Sequence, residues 1–139
     1  NQSYTLTYYI FAIFEQNLPD WGMAIWDNSG KLILTNETKV LSDLVTVGNP
    51  GYAGGGLNID STLSGSYAVV PTILGNYQIQ IGTLPTGQPI IGNSTAGTSC
   101  RYNGSTTRIN AAATTATGQV FNTTNNGNVI TAINTAAYD

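Results

Sequence analysis

The stretch Gly22-Met23-Ala24-Ile25-Trp26-Asp27-Asn28-Ser29-Gly30-Lys31-Leu32-Ile33-Leu34 decides the fold class of this chain. Two apolar runs of strand length flank Asp27-Asn28-Ser29-Gly30. The Asp and Asn favour a turn, and Gly30 can take the left-handed backbone that closes it. The pattern predicts a β-hairpin, with Ile25, Leu32 and Leu34 supplying core and Trp26 anchoring it.

Upstream, Tyr4 to Phe14 opens with strict alternation: Tyr4, Leu6, Tyr8 and Ile10 against Thr5, Thr7 and Tyr9. That is the period of a half-buried strand. Its second half, Ile10-Phe11-Ala12-Ile13-Phe14, is apolar on both faces. Such a segment either crosses a sandwich core or lies against a neighbouring chain, so Tyr8, Tyr9, Ile10, Phe11, Ile13 and Phe14 are the candidate assembly interface.

Downstream, turn residues recur at short intervals. Asn36-Glu37-Thr38 makes a second turn, and Val40 to Val47 reads as one strand or a strand bent at Asp43. Gly48 to Asn58 is a glycine-rich loop whose backbone is costly to order unless something holds it. Ser66 to Val70 and Tyr77 to Ile81 read as a hairpin, Pro85-Thr86-Gly87-Gln88 as a turn, and Asn103-Gly104 as a further hairpin turn. Beyond Gly92 the chain is dominated by Ser, Thr, Asn, Gly and Ala, with short strand-like runs at Ser99 to Tyr102, Thr106 to Ala111, Gln119 to Asn122 and Val129 to Ile133. No helical period appears. The expectation is an all-β fold, an antiparallel β-sandwich of about eight to ten short strands. A single domain is expected over 1–139, with 1–16 as an apolar N-terminal strand engaged in assembly.

Composition narrows the function. The chain has no histidine, one cysteine, and seven acidic and four basic residues in 139. Charged residues make up 8%, against an average of about 25%. Proton transfer, nucleophilic attack and metal ligation usually draw on clusters of these side chains. Here they are scattered, so no catalytic, cofactor-binding or metal-binding residues are assigned and no enzyme is expected. Four dispersed basic residues make no nucleic-acid surface. No run reaches the about 18 apolar residues of a membrane span. Cys100 has no partner for an internal disulfide and reads as a buried, inert thiol.

Two motifs invite chemistry and give little. Asp27 to Gly30 superficially resembles a calcium loop, but strands flank it in place of helices and Glu37 sits among turn residues. The Gly51 to Gly56 run lacks the lysine and following helix of a phosphate loop. Trp21, Tyr52 and Tyr102 are candidate ligand-contacting aromatics, able to stack on sugars such as a host-surface glycan.

Residues 21–36, Trp-Gly-Met-Ala-Ile-Trp-Asp-Asn-Ser-Gly-Lys-Leu-Ile-Leu-Thr-Asn, resemble the opening motif of small phage and prophage tail-associated proteins. An aromatic-rich strand ahead of the motif (Tyr8 to Phe14) extends the resemblance. So do a Ser/Thr/Gly-rich second half and a short apolar strand at Val129 to Asn134 followed by Tyr138-Asp139. Where that family often has Asp-Ser after the second strand, this chain has Thr35-Asn36. The resemblance implies a non-enzymatic structural protein of a virion tail, tail tip or fibre, with no catalytic residues to carry over. Its expected partners are copies of itself and other virion proteins. The alternative is a subunit of an extracellular filament or pilus, in which Tyr4 to Phe14 completes the next subunit. A carbohydrate- or receptor-binding tail module is the third reading.

Overall fold

The computed structural model describes residues 3–113 and 118–139. Ten strands are present among them: β1 (Ala24–Trp26), β2 (Leu32–Thr35), β3 (Leu44–Val47), β4 (Asp60–Ser64), β5 (Tyr67–Val69), β6 (Ile73–Thr83), β7 (Pro89–Tyr102), β8 (Thr106–Ala113), β9 (Val120–Asn125) and β10 (Ile130–Asn134). The one helical element among the described residues is a single 3-10 turn at Gly56–Asn58. The chain is all-β, its strands pair antiparallel, and it is sandwich-like, as its turn chemistry leads one to expect. The residues cluster into two compact units, one up to Ser42 together with Tyr138, the other Asp43–Ala137 with Asp139.

In the first unit β1 and β2 form the expected hairpin, with Ile25 opposite Leu34. Asp27 closes it. Its Oδ1 accepts from Ser29 N (2.9 Å), Ser29 Oγ (2.7 Å) and Lys31 N (2.9 Å), while Gly30 sits at φ 82°. The side-chain expectation fails for Trp26 and Ile25, which are 51% and 42% exposed. A two-stranded ribbon has no second layer in this unit to cover either face. Residues 4–14 form no ladder with any described strand.

The second unit holds two sheets, ordered β3-β10-β5 and β4-β8-β7-β6-β9. Val47, Ile130 and Ala132 of the smaller sheet cluster with Leu74 and Ile109 of the larger, and with Ile59, to make the core. Alternation along β8 shows why: Thr107 and Ile109 point inward, fully buried, while Arg108 faces solvent. Buried hydroxyls are paired across the layers. Thr107 Oγ1 donates to Gly65 O (2.7 Å) and accepts from Tyr67 N (3.1 Å), and Thr135 Oγ1 donates to Ser66 Oγ (2.7 Å). Among the described residues no buried side-chain polar atom lacks a partner, as native cores require.

Two connections differ from the sequence pattern. The run at 66–70 does not pair with that at 77–81; β5 pairs with β10, and β6 with β7 and β9. The chain changes sheets at Pro71, which has no N–H for a ladder. Val70 N still donates to Thr131 O of the small sheet, while Thr72 N already donates to Thr98 Oγ1 of the large one. Secondly, β7 begins at Pro89 and runs for 14 residues through the polar region. Ser94 and Ala96 lie buried on its inner face and Asn93 and Thr95 on the other, so small residues hide a long strand.

Candidate assembly surface

The exposed apolar side chains are unevenly placed. Of the large hydrophobic residues exposed among the described ones, fifteen fall before Ser42, from Tyr4 to Leu41. The nine hydrophobic residues buried among the described ones run from Val47 to Ile133. The second unit therefore has a core, and no hydrophobic residue of the first is buried.

Within residues 4–14 the exposure is graded. Ile13 is 95% exposed, while Tyr8, Ile10 and Phe14 are also open. Tyr9 and Phe11, which share the opposite parity from Tyr8 and Ile10, are partly engaged. Their rings approach that of Tyr138, Phe11 edge-on at 5.1 Å between centroids and Tyr9 tilted at 6.1 Å. Tyr138 Oη donates to Val40 O (2.8 Å) and accepts from Ser42 N (3.0 Å). The sequence-assigned interface thus divides, with Tyr8, Ile10, Ile13 and Phe14 outward and Tyr9 and Phe11 towards an anchor. Sequence reasoning passed over that anchor, since residues so far apart in the chain carry no local signal of contact. Farther along, Thr38 Oγ1 donates to Gln16 Oε1 (3.2 Å), and Asn36 brackets Met23 by accepting from Met23 N (3.1 Å) and donating its own N–H to Met23 O (3.1 Å). Gly22, at φ 122°, lies against the Asn36 side chain where any Cβ would collide.

Of the candidate ligand-contacting aromatics, Tyr52 and Tyr102 share the second unit but are not brought together. Trp21 belongs to the first unit and is 80% exposed. Tyr52 stands on the glycine-rich loop, whose carbonyl at Tyr52 accepts from Asn125 Nδ2 (3.2 Å). Asn125 lies opposite Gly75, which faces Ala96 on β7, whereas Tyr102 ends that strand. Six residues of strand, about 20 Å, separate the Tyr52 and Tyr102 levels. Tyr102 Oη donates to Gly104 O (2.6 Å), tying the side chain to its own hairpin turn.

Asn125 answers what orders the glycine-rich loop. Its Oδ1 accepts from Leu57 N (3.1 Å) and Gly127 N (2.9 Å), and its Nδ2 donates to Tyr52 O and to Gly55 O (3.1 Å). Gly56, at φ 58°, leaves the space that this side chain fills.

Electrostatics is sparse. Arg108 Nε and Nη2 reach Asp60 Oδ1 (2.8 Å) and Oδ2 (2.7 Å), and this pair holds the Asp60 carboxyl below its ordinary range. Asp27 is lowered by the Ser29 hydroxyl and the Lys31 N–H. Cys100 corrects the expectation of a buried thiol: it is exposed, on the inward-facing parity of β7 close to the sheet end. Its Sγ contacts Tyr67 O at 3.3 Å, and partial burial pushes the thiol up. No group of three His, Cys, Asp or Glu able to hold a metal occurs among the described residues. No helix among them is long and apolar enough to cross a membrane.

No protein-family model, curated protein or solved structure matches the chain.

Proposed function

We propose that the chain is a non-enzymatic structural subunit that works by assembly, in a virion tail, tail tip or fibre of a phage or prophage. The observation that carries the reading is the division of apolar side chains: among the described residues the first unit has fifteen exposed large hydrophobics and no buried one, whereas the second has its own core. Fully burying a large apolar side chain stabilises by roughly 1.5–3 kcal/mol. A surface this rich in such groups gains most from contact with other protein molecules. The tail setting rests on the resemblance of residues 21–36, which in this chain form the β1–β2 hairpin.

The extracellular-filament reading has one specific observation in its favour, the lack of any ladder to residues 4–14 within the described chain. Both readings make those residues an assembly element. Sedimentation of the intact chain beside a variant carrying Ile10→Ser, Ile13→Ser and Phe14→Ser tests them together. The intact protein should sediment as a multimer and the variant as a single folded chain. Equal behaviour of the two would contradict the proposal.

A further inference from the structure

Resting on that assembly reading, we propose that residues 4–14 of one copy add as a strand to the β9 edge of the next copy. A donated strand needs an edge that is open, long enough and free of charge. The four sheet edges of the second unit differ in these respects. β5 is closed by the sandwich, its Tyr67 N donating to Thr107 Oγ1 and its Tyr67 O meeting Cys100 Sγ. β4 carries the Asp60–Arg108 ion pair. β3 has only four residues and starts after Asp43, whose φ of 54° breaks the extended line. β9 has six residues and, among the described strands, pairs with β6 alone.

The surroundings of β9 match the segment. Val120 and Phe121 are half exposed, and the hairpin arm formed by β6 and β7 beside them exposes Ile81, Leu84, Ile90 and Ile91. Residues 79–91 and 118–125 contain no Asp, Glu, Lys or Arg, and neither do residues 4–14. Natural edge strands commonly carry charge to prevent pairing with another chain; both surfaces here lack it. Eleven extended residues reach about 36 Å, enough to cover β9 (about 20 Å) and continue over the arm. Main-chain hydrogen bonds would supply affinity, and alternate apolar side chains the register. Donor and acceptor are different surfaces, so the contact is head-to-tail and repeats into a ring or a filament.

Two full-length variants test this, Ile10→Lys to disable the donor and Phe121→Lys to disable the acceptor. Both positions are exposed, so circular dichroism of each should match the parent; Val120→Lys replaces Phe121→Lys if that variant does not fold. By light scattering each variant alone should have the mass of one chain. Their equimolar mixture should give a capped pair of twice that mass, because the donor of one meets the open edge of the other. An edge variant that keeps the parent's multimeric mass overturns β9 as the acceptor and leaves the assembly reading standing, as does a mixture that yields no pair. A parent that is itself a single chain overturns the assembly reading as well.

Discussion

The Phe11 ring stands edge-on to the ring of Tyr138, 5.1 Å away and at 84°, so Tyr138 holds the apolar segment 4–14 from a point more than 120 residues along the chain. The same tyrosine's hydroxyl bonds Val40 O and Ser42 N. Its ring and its hydroxyl thus tie two stretches of the first unit, residues 9–11 and 40–42, to one point.

Tyr138→Ala should release that segment. Edge-to-face pairs contribute about 0.5–1.5 kcal/mol beyond burial, and two hydrogen bonds about 1 kcal/mol each. Chymotrypsin, which cuts after the aromatic residues abundant in residues 4–14, should cleave there several-fold faster than in the parent. Tyr138→Phe, which keeps the ring, should give an intermediate rate. Unchanged cleavage in both variants would remove the anchor.

Asn125→Ala should destabilise the second unit by about 1–3 kcal/mol, since it strands the Leu57 and Gly127 N–H groups that the side chain now satisfies. A drop in Tm of roughly 4–8 °C for each kcal/mol is expected for a domain of this size. A Tm within one degree of the parent would show that the loop is ordered by other contacts.

Gly30→Val should open the first hairpin. At φ 82°, with no neighbouring atom near a Cβ, the cost is purely that of the backbone, about 1 kcal/mol or more for a β-branched residue. Hydrogen exchange at Lys31 and Asp27 should quicken, whereas Gly30→Asn should change it little. Equal exchange in parent and Gly30→Val would contradict the turn geometry.

How much of this was legible in sequence depends on how local the cause is. The β1–β2 hairpin, the turn at 85–88 and the Asn103-Gly104 turn were readable because turn chemistry sits in consecutive residues. At the last of these, Asn103 Oδ1 accepts from Ser105 N and Thr106 N, with Gly104 at φ 102°. The partner of β5 was not readable, because Pro71 marks a break without saying which sheet lies on each side. Nor was the length of β7, whose buried positions are small. Residues 4–14 stood out as apolar on both faces, but the division between Tyr9 and Phe11 on one side and Tyr8 and Ile10 on the other depends on Tyr138. Asn125 could not be singled out among so many asparagines.

The pH response should be confined to acid. Asp27 and Asp60 both have lowered folded pKa values. A depressed carboxyl stabilises the fold above its unfolded value, about 3.9, and that stabilisation is lost as pH falls through the lower folded value. The chain has no histidine, so Tm should be nearly flat from about pH 5 to 8 and fall below about pH 4. Asp60→Asn should shrink the acid drop. A steep change of Tm between pH 5 and 8 would contradict this assignment of the titrating groups.

The central claim is that residues 4–14 are completed by another molecule, and hydrogen–deuterium exchange of that segment measured against protein concentration tests it most directly. The account predicts slow exchange for residues 4–14 in concentrated, multimeric protein and fast exchange on dilution to single chains, with the core strands β8 and β10 protected in both. Fast exchange of residues 4–14 in a demonstrably multimeric sample, or slow exchange that persists in the single chain, would contradict it.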